Sequence, residues 1–220
     1  MGFYFGAGRL NLNLPSTERS LPWKCLQVVA RILATLLFDL KVYGRHHVPA
    51  RGGALIVSNH QGNLDPVLMA VRLDRPLNYI AKSELFQSRW TSWILHIVNA
   101  FPVRQGAGDV GAVKETIRRL QAGHLINIYP EGSRTEDGRI GPLQKGVALI
   151  VHRAGVPVIP AVIVGSFEAW PIHRAIFRPW PVRIKLGPPL DLTRLDSEEI
   201  MRTIDGILHA MFEELRNQSG

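Results

Sequence analysis

Short apolar runs alternating with helical patterns constrain this chain more than any other feature. Ala54–Ser58 (ALIVS), Leu125–Tyr129 (LINIY) and Val158–Val164 (VIPAVIV) carry no charge and are too short for core helices, so they read as buried strands. Leu77–Ala81 and Ala100–Val103 are further short strand candidates, and Val182–Leu186 reads as a later, more exposed strand. Helical patterns lie between them: one around Leu85–Ile97, one from a cap at Asp109 to Gln121 with Gly123 as its stop, and one over Lys145–Ala154 stopped by Gly155. Asp65-Pro66 reads as an N-cap followed by a first helical residue. A closing amphipathic helix is expected from Asp196 to about Leu215, with Asp196 and Glu199 at capping-box spacing. This order predicts a single α/β domain with a mixed central sheet flanked by helices, and ligand-binding loops just after the strands.

The N-terminal part departs from that rhythm. Residues 1–22 are rich in Gly, Asn and Pro and read as a loose lead-in, residues 23–43 as an apolar helical segment, and residues 44–220 as the main domain. Trp23–Val42 is strongly apolar but interrupted by Lys24, Arg31, Asp39 and Lys41, so a simple transmembrane span is not expected. A helix of this kind suits the membrane interface, with packing on the domain core as the alternative. Phe167–Val182 interleaves Trp170, Phe177 and Trp180 with His173, Arg174 and Arg178, which suits a headgroup boundary or, equally, a packed Pro-rich loop.

Composition narrows the partners. A net charge of +8 over 220 residues favours anionic surfaces and phosphorylated substrates. Nucleic acid is not expected, because the Lys and Arg residues are spread along the chain without a helix-turn-helix, RNA-recognition or zinc-finger signature. The lone Cys25 excludes an intrachain disulfide and a Cys-built zinc site, and fits a reducing compartment. His46, His47, His96, His124, His152, His173 and His209 show no metal-ligand spacing, so no metal is expected.

Two segments hold the chemistry. In Ser58-Asn59-His60-Gln61-Gly62-Asn63-Leu64-Asp65-Pro66 a His leaves a buried strand and a carboxylate follows at a helix start. If the loop folds back, Asp65 reaches Nδ1–H of His60, which fixes the tautomer and leaves Nε2 as a base. A structural His beside an ordinary N-cap Asp is the other account of the same residues. In Ile128-Tyr129-Pro130-Glu131-Gly132-Ser133-Arg134-Thr135 a strand ends in a loop offering backbone N–H groups, two hydroxyls and a guanidinium, a set that suits a phosphate. A solvated polar loop is the alternative. Val156-Pro157-Val158-Ile159-Pro160-Ala161 by itself says only core strand.

In this order, NHQGNLD, YPEGSRT and VPVIPA resemble the glycerolipid acyltransferase family, that of the 1-acylglycerol-3-phosphate acyltransferases, and the resemblance runs from about Gly44 to Leu190. It implies transfer of a fatty acyl group from acyl-CoA or acyl-carrier protein to the free hydroxyl of a lysophosphatidate-like acceptor, giving phosphatidate, with these co-substrates and no other cofactor. His60 would deprotonate the acceptor hydroxyl and Asp65 would orient and charge-stabilise His60. Glu131, Gly132, Ser133 and Arg134 would shape and charge the acceptor site. The resemblance also implies a membrane-associated enzyme, peripheral or monotopic on the cytoplasmic face, working against an anionic surface. No G-x-S-x-G elbow is present, and direct attack by the acceptor on the thioester requires no acyl-enzyme.

The family's G-x-x-P-V-x-R block is altered here. Asn99-Ala100-Phe101-Pro102-Val103-Arg104-Gln105 places Asn at the Gly position and Gln at the Arg position, so Arg104 is the candidate phosphate ligand and other lysolipid acceptors stay open. A non-catalytic lipid-binding protein on the same scaffold is the other alternative. Gly62 stands where the family often has Ser, and Tyr129 where it often has Phe. Gly106-Ala107-Gly108-Asp109-Val110-Gly111 matches G-x-G-x-x-G, but Pro102, Arg104 and Gln105 interrupt the preceding strand, so a dinucleotide site is not expected.

Overall fold

Alternation of side chains along the central strands sets the layers of the molecule. The computed structural model describes residues 21–89, 91–92, 95, 100–103 and 110–218. Within them lie β1 (Lys41–Tyr43), β2 (Ala54–Ser58), β3 (Leu77–Lys82), β4 (Ala100–Val103), β5 (Leu125–Ile128), β6 (Val158–Val164) and β7 (Arg183–Leu186). They form one sheet in the order β1-β7-β6-β2-β5-β3-β4. Strands β2 to β6 run parallel, whereas β7 is antiparallel to β6 and carries β1 parallel to itself, so the sheet is mixed. The helices are α1 (Leu21–Phe38), α2 (Asp65–Val71), α3 (Val110–Gln121), α4 (Gly146–Ala154), the short α5 (Ser166–Ala169) and α6 (Ser197–Asn217).

In β2, Ala54 and Ile56 enter one core while Leu55 and Val57 enter the other. In β6 the odd residues Ile159, Ala161 and Ile163 face the first core, and Val158 and Val162 the second. This is the period-two geometry of a strand buried on both faces, the reason these runs contain no polar alternation. Residues of α1 and α2 line the first core and those of α3, α4 and α6 the second, giving helices on both sides of the sheet. The closing helix α6 has its capping box: Asp196 accepts from the backbone N–H groups of Glu198 and Glu199, and the Glu199 side chain accepts from Asp196 N–H.

Two expectations are corrected. The N-terminal helix stops at Phe38, and Lys41–Tyr43 is a strand paired with Arg183–Lys185. Asp39 breaks the helix with a φ of 39°, a conformation Asp tolerates better than most residues, and its carboxylate is held 2.6 Å from Arg183. The run Val182–Leu186 contains β7 and is the more exposed strand expected, its alternate residues only half-buried where β2 and β5 are buried throughout, and β1 lies on its far side. At the start of α2 the cap position is Leu64, and Asp65 is already helical with its side chain turned back into the preceding loop. Of the helix expected around Leu85–Ile97, Arg89, Thr91, Ser92 and Leu95 are helical after a 3-10 turn over Ser83–Phe86, and residues 90, 93, 94, 96 and 97 lie outside the described residues, as does the Asp109 cap.

Candidate active site

Three loops leave the carboxyl ends of three neighbouring strands, β6, β2 and β5, and meet around one imidazole. His60 follows β2, Glu131 follows β5 and Ser166 follows β6. Asn59 fixes the first loop by acting as one more strand residue: its amide donates to Ile163 O at 3.0 Å and its oxygen accepts from Ile163 N–H at 2.8 Å. The chain therefore leaves β2 in a defined direction, and the next side chain, His60, is delivered to the sheet's open end.

Asp65 organises the imidazole. Its Oδ2 accepts from the backbone N–H groups of Gln61 at 2.7 Å and Gly62 at 2.9 Å, and lies 2.7 Å from His60 Nδ1. Its Oδ1 accepts from the Ser166 hydroxyl. The carboxyl is fully buried at 0% exposure, whereas the His60 side chain remains 18% exposed. A carboxylate is acceptor-only, so its neighbour Nδ1 carries the proton and Nε2 is the acceptor nitrogen.

The ring is also held by its face and its backbone. Tyr129 stacks on His60 with centroids 3.8 Å apart and planes 13° from parallel, and Tyr79 continues the column at 6.4 Å from Tyr129. Tyr79 is anchored by its hydroxyl, which donates to Pro66 O at 2.5 Å. Glu131 ties two loops together: its carboxylate accepts from His60 N–H at 2.7 Å and from Gly141 N–H at 2.9 Å. Thr135 N–H completes the bracket by donating to His60 O at 2.9 Å. Burial pushes the Glu131 carboxyl above its ordinary range, opposed by the two N–H donors. Beside this bracket opens a cavity of about 500 Å³ lined by Glu131, Ser133, Arg134, Thr135, Arg139 and Gln144 among others.

Residues 39–164, more than half of the chain, match the family model described as Acyltransferase. The chain belongs to this acyltransferase family. Among its relatives is the 1-acyl-sn-glycerol-3-phosphate acyltransferase of Bacillus subtilis (strain 168), 29% identical over 192 residues that cover 86% of this chain and 94% of that one. The 1-acyl-sn-glycerol-3-phosphate acyltransferase alpha of Mus musculus is 28% identical over 188 residues, covering 82% of this chain and 65% of that one. The crystal structure of the 1-acyl-sn-glycerophosphate (LPA) acyltransferase PlsC from Thermotoga maritima superposes with a TM-score of 0.77 at 28% identity, covering 88% of this chain and 79% of that one.

Of the residues singled out in the acyltransferase sequence, His60 and Asp65 are in direct contact and Glu131 touches the His60 backbone. Gly132 and Ser133 are exposed, and Arg134 is half-buried on the cavity wall with no hydrogen bond or ion pair among the described residues. Arg104 and Gln105 lie outside the described residues. Among those described, no group of His, Cys, Asp and Glu could hold a metal ion. Ser166 is the part of the site that no sequence pattern marks. Ser166 stands 101 residues beyond Asp65, and no motif links the two.

Proposed function

We propose that this acyltransferase moves a fatty acyl group from an acyl thioester to the free hydroxyl of 1-acylglycerol-3-phosphate, forming phosphatidate. The observation that carries the reading is the His60–Asp65 pair, with Nδ1 bound to a buried carboxylate and the partly exposed ring at the mouth of the loops. His60 Nε2 takes the proton of the acceptor hydroxyl as that oxygen attacks the thioester carbonyl. The tetrahedral intermediate collapses, the carbon–sulfur bond breaks, and the thiolate leaves with the proton returned from the imidazolium. Asp65 holds the tautomer and balances the transient positive charge. A well-placed general base of this kind is worth ~10²–10⁴ in rate.

Arg134 is the described cation best placed for the acceptor phosphate, because it lines the cavity beside Glu131 and is not engaged elsewhere. Ser133 adds an exposed hydroxyl on the same loop, Gly132 shapes its turn with its own N–H donated to Tyr129 O at 3.1 Å, and Arg104 is a further candidate from the sequence. Gln105 in place of the family's Arg supports a second reading, in which the acceptor is a lysolipid with a different headgroup.

We further propose peripheral attachment to a lipid surface. Among the described residues no helix is long and apolar enough to cross a membrane. One side of α1 faces the protein: Gln27 donates to Val71 O and Leu73 O, and Ala34 and Phe38 are buried. The other side exposes Val28, Val29, Ile32, Leu33 and Leu36. Phe38 packs on Phe177, whose loop also exposes Ile176 and Trp180, so the two apolar segments are continuous. Arg178 stacks over Trp180 at 4.6 Å, placing a cation at the rim.

The test is free-thiol release from a long-chain acyl-CoA by purified protein in detergent, across a panel of lysolipids, with His60→Ala as control. Release that depends on lysophosphatidate and vanishes in the variant supports the main reading. Turnover with another lysolipid alone moves the assignment to the second. Failure with every acceptor, using both acyl-CoA and acyl-carrier protein, overturns acyl transfer by these residues.

A further inference from the structure

We infer that Ser166 is a third member of the His60–Asp65 assembly, a positioning residue that holds the carboxylate through the oxygen His60 does not use. The inference rests on the proposed role of His60 as base. Asp65 has two oxygens and they are divided by function. Oδ2 receives the imidazole and two backbone N–H groups, so it is fully subscribed. Oδ1 receives Ser166 Oγ–H. Both residues are at 0% exposure, so water does not replace that donor. Without it Oδ1 is a buried anionic acceptor, free to rotate toward the N–H groups and take Oδ2 away from the imidazole.

The surrounding chain is shaped to keep this hydroxyl in place. Gly165, the residue before it, has φ +91°, and a Cβ there would stand 2.0 Å from Pro181 O, so only glycine turns the chain out of β6 at this point. A Cβ on Gly62 would lie 2.6 Å from Ser166 O and 2.8 Å from Ser166 Oγ. The loop carrying the dyad therefore closes directly on Ser166, with glycine at the contact. Trp170 N–H donates to Ser166 O and Trp170 O accepts from Asn63 N–H, which ties α5 to the same loop.

Ser166 does not touch substrate in this arrangement. Its removal should change the chemical step and leave acceptor and donor binding intact. Replacing a hydrogen bond to a charged group by nothing lowers kcat on the order of 10- to 100-fold. The KM for each substrate should stay within a small factor.

The experiment compares wild type, Ser166→Ala and Ser166→Cys by loss of acyl-CoA thioester absorbance, and reads the His60 ring nitrogens by ¹⁵N NMR. The expected result is a kcat loss in Ser166→Ala at unchanged KM, partly restored by the weaker thiol donor of Ser166→Cys, and a wild-type ring that is Nδ1-protonated but becomes a tautomer mixture in Ser166→Ala. Wild-type kcat and an unchanged ring spectrum in folded Ser166→Ala overturn the inference. If wild type itself transfers no acyl group, the proposed function has failed, and the tautomer comparison still decides the role of Ser166.

Discussion

The imidazole of His60 lies face to face on the phenol ring of Tyr129, with centroids 3.8 Å apart and planes 13° from parallel. The Tyr129 hydroxyl is buried and has no hydrogen-bond partner among the described residues, so the ring and not its oxygen is what the site uses. Tyr129→Phe should therefore keep wild-type kcat. Tyr129→Leu should lower kcat by up to about tenfold, the worth of one aromatic pair. Equal turnover in Leu and wild type would show that the ring face does not restrain His60.

Glu131 acts as a tie between loops, its carboxylate shared between His60 N–H and Gly141 N–H. Glu131→Ala leaves both donors without their acceptor, and a loss of stability on the order of 2 kcal/mol is expected. Glu131→Gln keeps one acceptor and should fall between. Hydrogen exchange is the measurement: the amides of His60 and Gly141 should lose protection together in Glu131→Ala, and unchanged protection would remove the tie.

If the exposed side of α1 and the loop beneath Phe177 rest on lipid, charge placed there will weaken attachment. Leu36, 76% exposed, and Ile176, also 76% exposed, are the sites to change because neither supports the core. Leu36→Glu with Ile176→Glu should reduce co-sedimentation with vesicles of mixed zwitterionic and anionic phospholipid by roughly tenfold or more, since each side chain is worth ~1.5–3 kcal/mol when buried. Undiminished co-sedimentation would assign these residues to something other than the bilayer.

His124 gives the pH dependence a sign. It is buried, and desolvation, helped by the nearby charges of Arg119, Arg75 and Arg118, holds its pKa below the ordinary imidazole range. The folded state thus binds a proton less readily than the unfolded one. The resulting stability is present above the unfolded pKa and is lost as pH falls through the folded one. Urea unfolding at pH 7.5 and pH 5.5 should show a loss on acidification that shrinks in His124→Leu. An identical loss in the variant would place the acid sensitivity elsewhere.

The sequence made some of this site legible and hid the rest for a physical reason. His60, Asp65 and Glu131 could be read because each sits at a strand end or helix start, where short-range pattern and turn chemistry speak. The reach of Asp65 back to His60 follows from the same pattern, and only the cap position differs, falling on Leu64. The break at Asp39 has no local signature, because the apolar pattern continues to Val42 and only pairing with Arg183–Lys185 makes its last residues a strand.

By itself the sequence determined the layers, since charge-free runs of strand length must be covered on both faces, and it determined which residue types stand at the ends of those strands. The tertiary structure decided which ends are neighbours. Placing β2 between β6 and β5 brings Ser166 to Asp65 and Glu131 to His60 across 101 and 71 residues of chain. Such pairings depend on strand order and on the direction of buried hydrogen bonds, and neither leaves a local pattern in the order of the amino acids.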